Sequence, residues 1–391
     1  MIDGNHQRAI NRRRSVRSTR VTRSGLFRRG HSGSTVSAGL LATAWLCGAC
    51  APADPGSGGE DRGAGGVGSA PTDAVHFAFT EVVPGVYHAR GASDLVVGSN
   101  AGVVVNEADV LLVDSHISPA AASALIEDLR SITDNPVRYA ANTHWHFDHA
   151  HGNQVYPPDV EIISHEATRA AIAAGRSNSG RSYELFVGSI PGRIEQMEAT
   201  LDTMTDAAAR AELETTLERQ RTYYAQLQEV VPTPPNTTLS ERLTLHKGGR
   251  EIQFHFFGRA HTEGDVIVYL PDDRVIITGD MLTAGLPYMG DGYVNEWVET
   301  LDRLKALDFD WIIPGHGEPY RDRERIDHLQ AYMRDLWDQS VALHGQGVSA
   351  EDAAARIDLT AHADNFGGIA SPGANPVAVL RIFELLDGTA N

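Results

Sequence analysis

The segment that most constrains the fold is residues 143–149, Thr-His-Trp-His-Phe-Asp-His, which places three imidazoles and a carboxylate directly after an apolar run. Histidine nitrogen and aspartate oxygen are ligands that zinc prefers, and a catalytic zinc site leaves one position open to water. His144 and His146 are two residues apart, so on an extended segment both side chains point the same way. Asp148 and His149 follow closely enough to turn back toward a second ion. The alternative for this string alone is a solvated, histidine-rich loop.

Three further ligand-type residues each follow a strand-like run and lie next to or close to glycine. They are His261, Asp280 and His316, which come after the apolar stretches 252–257, 274–279 and 309–313. Open α/β layers tend to hold their sites at the carboxyl ends of strands. A single histidine or aspartate at a strand end is usually structural. Four such signals in this order favour one shared metal site.

The order His-x-His-x-Asp-His, then His, Asp and His, resembles the metallo-β-lactamase superfamily of metallohydrolases over roughly residues 75–325. The resemblance implies an α/β fold, a four-layer αββα sandwich of two mixed sheets with helices outside and a metal pair in a cleft at one sheet edge. It also implies two Zn²⁺ ions per chain, with iron or manganese as alternatives. All seven ligand positions of the family are matched: His144, His146 and His261 for the first ion, Asp148, His149 and His316 for the second, and Asp280 between them.

Differences between this sequence and individual branches of the superfamily indicate which branches it resembles most. The β-lactamases with a cysteine ligand carry that cysteine where this chain has Asp280, usually with a lysine where it has Thr283. Another dinuclear lactamase class has serine at the bridging position. Asp280 is similar to the bridging carboxylate of the glyoxalase II, lactonase and arylsulfatase branches, and His146 stands where flavodiiron proteins have glutamate. The residues therefore favour hydrolysis of an ester, thioester, lactone or lactam over β-lactam cleavage proper or oxygen reduction.

The chemistry that the resemblance implies is hydrolysis by a metal-bound hydroxide, since two ions about 3.5 to 4 Å apart lower the pKa of a water held between them. Asp148 is the candidate catalytic proton shuttle. Asp114 and Thr143 are candidates for orienting the imidazoles, with an ordinary turn as the alternative for each.

Hydrophobic patterning gives a coarse view of the remaining elements. Short strands are expected at 82–88, 95–99, 102–106 and 110–114, a helix at 119–132, and another at 323–344. Apolar positions spaced by three and four predict a helical insertion at about 192–230, either one long helix or a hairpin. A substrate lid and a plain packing or dimer helix are equally compatible with its place in the chain.

Several other residues near the motif invite assignment. His151 is expected to line the pocket mouth or to pack locally rather than to act as a ligand. His116, His165, His246 and His255 have no partner pattern that distinguishes them from ordinary surface or core histidines. Tyr288 and Tyr293 follow Asp280 in the place of a substrate loop, so we consider a role for either in shaping the substrate pocket.

Charge divides the chain. The first 50 residues contain nine arginines and one acidic residue, whereas the remainder contains 24 basic and 50 acidic residues. Such an acidic body repels a phosphate backbone, so a nucleic-acid partner is not expected and a small-molecule substrate is. Residues 73–391 are long enough for one catalytic domain with a full core.

Residues 1–50 read as an export signal, because a basic region precedes an apolar run that is too short to span a bilayer stably. Both cysteines, Cys47 and Cys50, lie at the end of that run. The sequence there resembles a bacterial lipobox but has Cys47 where an aliphatic residue is usual, so a membrane-anchoring lipid on Cys50 and ordinary cleavage both remain open. Residues 51–72, rich in Gly, Ser and Pro, are expected to be a flexible linker to a periplasmic or membrane-anchored domain.

Two functional classes remain after this reading. The first is an exported dinuclear zinc hydrolase. The second is a non-hydrolytic protein, either an iron-dependent dioxygenase of the persulfide type or a metal-binding protein of the envelope. Retention of all seven ligand positions favours the first class, because a single-iron oxygenase needs only a subset of them.

Overall fold

A computed structural model describes residues 75–390 of the chain. The expected export signal at 1–50 and the linker at 51–72 lie outside these residues. Among the described helices, none combines the length and the apolar character that crossing a membrane requires.

The strands of the described region form two mixed sheets. The first sheet has the order β1 to β7, with strands Phe77–Val83, Val86–Gly91, Ala101–Val105, Val110–Val113, Val137–Ala141, Glu161–His165 and Thr237–Leu239. The second has the order β12-β11-β10-β9-β8, with β8 to β12 at Arg242–Lys247, Arg250–His255, Ile267–Leu270, Val275–Gly279 and Trp311–Pro314. The pairs β4/β5, β5/β6, β6/β7 and β11/β12 are parallel, and the others are antiparallel.

The described residues form ten α-helices. In chain order, α1 to α10 are Pro119–Asp128, Phe147–Ala150, Glu166–Ala173, Arg181–Phe186, Ile190–Thr203, Ala207–Leu227, Val294–Lys305, Glu324–Gly345, Ala350–Arg356 and Pro376–Asp387. Capping side chains fix several starts. The hydroxyl of Ser118 accepts from the third residue of α1, and the carboxylate of Asp206 accepts from the third residue of α6.

The core between the sheets follows from strand alternation. In β4, Leu111 and Val113 face the second sheet, where they share one buried cluster with Val268 and Leu270 of β10. Successive strand side chains point to opposite faces, so the residues between these must face outward. The outward residues are apolar as well, which predicts a further layer on each side.

Helices supply those layers. Val110 and Leu112 of the first sheet pack against Leu125 of α1. On the second sheet, Ile267 and Tyr269 pack in the cluster that contains the inner faces of α7, α8, α9 and α10. The expected four-layer αββα sandwich is therefore confirmed.

The segment expected to be a helical insertion forms a hairpin of α5 and α6. Only Ile190 and Leu201 of α5 are buried, and α6 buries Leu217, Tyr223 and Leu227. The base of the hairpin packs against α1 and α2, where Ile190 shares a cluster with Phe147 of the motif. The insertion thus joins the body of the protein beside the histidine cluster.

Two strand expectations were wrong. Residues 82–88 contain a hairpin turn at Pro84 and Gly85 between β1 and β2, so the run is split between two antiparallel strands. A Pro-Gly pair is a strong turn signal that outweighs the apolar residues around it. Residues 95–99 form an irregular loop, and Val96 and Val97 pack against the cluster at the base of the insertion.

Candidate metal centre

The motif loop leaves β5 at its carboxyl end and enters α2. His144 and His146 lie before the helix, whereas Asp148 and His149 lie in its first turn. The carbonyl of Thr143 accepts a hydrogen bond of 2.7 Å from the backbone of Val266, which follows the loop of His261. Two loops that carry predicted ligands are therefore joined by their backbones.

Three histidines form the first group. His144, His146 and His261 each offer a ring nitrogen, and these atoms lie within 4.8 Å of one another. Nδ1 of His146 is 2.9 Å from Nε2 of His261. All three side chains are buried, so this group is a convergent nitrogen cluster shielded from bulk water.

The second group contains Asp148, His149 and His316, whose ligand-type atoms also lie within 4.8 Å of one another. Oδ2 of Asp148 is 3.2 Å from Nε2 of His316 and 3.5 Å from Nε2 of His149. His316 follows β12, so the loop after this strand of the second sheet closes the group.

Asp280 lies between the two groups. Its Oδ2 atom is 3.5 Å from Nε2 of His261 and 3.3 Å from Nε2 of His316, and its Oδ1 atom is 3.3 Å from Nε2 of His149. One carboxylate thus contacts both groups, and the structure brings all seven predicted ligand residues together.

A divalent metal fits this arrangement. Nε2 of His144, Nε2 of His149 and Oδ1 of Asp280 are buried and have no hydrogen-bond partner. The last two atoms lie 3.3 Å apart. Buried polar atoms without a partner are rare because desolvation makes them costly. A cation would satisfy all three atoms, and the nitrogen and carboxylate set suits zinc, iron or manganese.

Charge differs between the two groups. Burial and the neighbouring His146 together lower the pKa of His261 to about 3, which leaves a neutral imidazole. Burial also lowers the pKa of His316, but the carboxylates of Asp280 and Asp148 outweigh it and raise that pKa to about 10. His261 is therefore ready to ligate, whereas a cation bound by His316 would displace a proton.

Asp114 and Thr143 orient the ligands, as considered from the sequence. Asp114 accepts from the backbone of Thr143 at 2.8 Å and contacts Nδ1 of His149 at 2.8 Å. The hydroxyl of Thr143 lies 3.0 Å from Nδ1 of His144. Because Nδ1 is engaged in both imidazoles, each presents Nε2 to the centre.

Asp291 contacts His146 at Nε2, whereas His144 and His149 are held at Nδ1. The sequence did not predict this role for Asp291. Its Oδ2 atom is 3.1 Å from Nε2 of His146, so Nδ1 faces the centre. The side chain is 91% buried, and hydrogen bonding with His146 lowers its pKa to about 2 although burial alone would raise it. A glycine on each side of Asp291, in the loop after Asp280, was the available signal.

Glycine precedes two of the ligands for steric reasons. A Cβ atom on Gly315 would lie 2.1 Å from Oδ1 of Asp280. Gly279 has a φ of +51°, and its Cβ atom would lie 2.2 Å from the hydroxyl of Thr143. Both positions need a residue without a side chain because the ligand loops pass so close to one another.

The remaining candidate residues have other places. The ring nitrogens of His151 lie near the carbonyls of Ile117 and Ser177, which confirms local packing. Tyr293 is buried, with the guanidinium of Arg259 over its ring, so its side chain is not open to a substrate. The ring of Tyr288 lies 5.9 Å from that of His146.

The four other histidines considered in the sequence analysis lie outside the ligand groups found among the described residues. His116 is buried against Phe77, and His165 stacks on Phe256. His255 stacks on Phe257, whereas His246 lies in β8 on the solvent side.

Comparison with known proteins gives a family match that covers the candidate metal centre. Residues 94–316, more than half of the chain, match the model of the metallo-beta-lactamase superfamily. The chain belongs to this superfamily. The matched range ends at His316 and includes every residue of the two groups.

The curated relatives that the chain matches are distant in sequence. The chain is 26% identical to a linear primary-alkylsulfatase of Pseudomonas sp. over 65% of this chain and 48% of the relative. It is 25% identical to the alpha subunit of a 2,4-dinitroanisole O-demethylase of Nocardioides sp. over 61% of this chain and 57% of the relative. The chain thus spans about half the length of these curated relatives.

A solved structure agrees with the fold. The stereoselective inverting sec-alkylsulfatase of Pseudomonas sp. superposes on 78% of this chain and 50% of its own, with a TM-score of 0.56 and 15% identity. At that identity the likeness supports the metallo-beta-lactamase fold and nothing finer.

Proposed function

We propose that the protein is a dinuclear zinc hydrolase. His144, His146 and His261 would hold one ion and Asp148, His149 and His316 the other. The observation that carries the proposal is the carboxylate of Asp280, which contacts imidazoles of both groups at 3.3 to 3.5 Å. When bound, such an ion pair supplies an activated water and charge to stabilise the leaving group.

Asp148 is the proposed proton carrier. Its side chain is 14% exposed, so it is the more accessible of the two carboxylates in the cluster. Its backbone carbonyl accepts a hydrogen bond of 2.6 Å from the hydroxyl of Ser99, which fixes the first turn of α2. Oδ2, an ionised carboxylate oxygen, would therefore take a proton from the attacking water and pass it to a departing oxygen, nitrogen or sulfur atom.

The substrate is proposed to carry an apolar portion. Tyr288 stands beside His146, and its ring lies 5.7 Å from that of Phe186 in an edge contact. Phe186 in turn lies 6.2 Å from Phe147. These rings form an aromatic wall that leads from the three-histidine group to α4, where Leu185 is 44% exposed. An apolar wall of this kind favours an aryl or alkyl group next to the scissile bond.

The scissile bond is proposed to be that of a small ester, thioester, lactone or lactam. A sulfate ester is a second candidate, favoured by the alkylsulfatase relative that covers 65% of the chain. A lactam is favoured by the similarity to a type 2 metallo-beta-lactamase of Elizabethkingia meningoseptica, but that similarity covers only 23% of the chain. Thr283 also leaves the site without a lysine at that position.

Turnover of a substrate panel tests this proposal. Zinc-loaded protein would be given nitrocefin, a lactone, a thioester, an aryl ester and a linear alkyl sulfate. We expect hydrolysis of at least one compound and its loss by orders of magnitude in Asp280→Ala. No turnover of any of them, together with about one iron per chain, would instead favour the oxygenase or a metal-binding envelope protein.

Export is proposed from the sequence of residues 1–50, with a periplasmic or lipid-anchored location. The mass of the mature N-terminus in a bacterial host tests it. A diacylated Cys50 would establish a lipoprotein, a simple cleavage would establish a soluble exported protein, and an intact basic leader would contradict both.

A further inference from the structure

Trp145 stands between two ligands in the sequence and is fully buried. Its ring meets that of His146 edge-on, with centroids 4.5 Å apart. The indole therefore packs directly against an imidazole of the three-histidine group. What holds the indole in place bears directly on the geometry of that group.

Glu263 holds it from the loop of His261. The indole Nε1 donates a hydrogen bond of 3.1 Å to Oε2 of Glu263. Oε1 of the same carboxylate pairs with the guanidinium of Arg176, which lies over the Trp145 ring at 4.4 Å. The three side chains close a ring of contacts in which Glu263 is the common partner.

This contact is a second link between the two ligand loops. The first is the backbone hydrogen bond from Val266 to Thr143. On one loop both links follow His261 in the chain, at residues 263 and 266, and on the other they lie on either side of His144, at residues 145 and 143. His146 and His261 are close in the chain to these linked residues, and Nδ1 of His146 lies 2.9 Å from Nε2 of His261.

The position of Glu263 distinguishes it from a surface ion pair. Exposed pairs contribute little because water screens them. The Glu263 side chain is only 18% exposed, and one of its oxygens accepts from a fully buried indole. Removing the carboxylate would leave that indole nitrogen without its acceptor.

We propose that Glu263 is a positioning residue of the three-histidine group. It acts through Trp145 to set the separation of His146 and His261, and so the affinity of that group for its ion. The inference rests on the ligand assignment of the proposed function but not on any substrate.

Zinc retention by variants tests this inference. The variants are Glu263→Ala, Glu263→Gln and the control Glu198→Gln, which breaks the exposed 2.6 Å pair with Arg221 on the α5/α6 hairpin. Zinc per chain would be measured against increasing chelator, and the thermal midpoint of each metal-free variant would be measured separately.

We expect Glu263→Ala to lower the affinity for one of two ions by about 10- to 100-fold. Glu263→Gln should recover much of it, because the amide oxygen still accepts from the indole. The control should retain both ions like the wild type.

Four outcomes would overturn the inference. Unchanged zinc affinity in Glu263→Ala would do so, as would equal losses in the alanine and glutamine variants, which would assign the effect to Arg176. A fall in the midpoint of metal-free protein without any change in zinc affinity would show a structural role only. A wild-type chain that binds no ion pair would overturn the ligand assignment as well, so the two failures are distinguishable.

Discussion

Replacing Asp114 is expected to destabilise the fold as well as the metal centre. In Asp114→Ala, the backbone N–H of Thr143 and Nδ1 of His149 lose their acceptor. The Thr143 hydroxyl keeps a neighbour in His144. Two orphaned buried groups cost about 1 to 3 kcal/mol each, roughly 2 to 6 kcal/mol together.

Backbone conformation adds to this loss. Asp114 has a φ of 70°, in the left-handed region that alanine adopts at a cost of about 1 to 2 kcal/mol. The total of about 3 to 8 kcal/mol is a large share of the roughly 5 to 15 kcal/mol that stabilises an ordinary domain. Asp114→Asn keeps one acceptor oxygen and tolerates this φ, so its loss should be about 1 to 3 kcal/mol.

Urea unfolding of metal-free protein measures these losses, because bound metal would mask them. The exposed Asp134 provides a matched control, and Asp134→Ala should unfold like the wild type. The reasoning would be refuted by Asp114→Ala unfolding within about 1 kcal/mol of the wild type, or by Asp114→Asn being as unstable as the alanine variant.

Three other substitutions test separate contacts. Gly315→Ala should displace the Asp280 carboxylate, because the new Cβ atom would lie 2.1 Å from Oδ1. Zinc analysis should show lost metal while the circular dichroism spectrum stays unchanged, and full metal content would contradict this. Asp291→Ala should weaken zinc binding about 10- to 100-fold by freeing Nε2 of His146, with Asp291→Asn milder in the same chelator titration; equal affinity in all three proteins would argue against this contact. Asp128→Ala should lower the free energy of unfolding by roughly 1 to 3 kcal/mol in urea, because the carboxylate accepts from three successive backbone N–H groups at the start of β1; an unchanged midpoint would show that solvent replaces it.

The ligand loops could be foreseen because strand-end residues obey local rules. The pattern of a β-branched run followed by glycine and then His or Asp indicates where the chain leaves a sheet. Parallel strands bring such ends to one edge of the sheet. The fold class was implied by the resemblance to the metallo-β-lactamase superfamily, and spacing by three and four predicted the helical insertion.

Contacts made by the loops themselves could not be foreseen in this way. Asp291 reaches His146 across 145 residues, and Glu263 reaches Trp145 across 118. Neither carboxylate follows a periodic pattern or a fixed spacing from its partner. The partner is determined by the path of the irregular loops, which the sequence does not reveal. Tyr293 shows the converse, because its place after Asp280 indicated a substrate loop but arginines bury its ring instead.

Elemental analysis of the purified full chain, together with its hydrolytic activity, tests the central claim most directly. We expect two zinc ions per chain, with both the zinc content and the turnover falling sharply in Asp280→Ala, since one carboxylate contacts both groups. Full zinc content and an unchanged rate in that variant would remove Asp280 from the centre. About one iron per chain, with no hydrolysis of the ester, lactone, lactam and sulfate panel, would contradict the account as a whole.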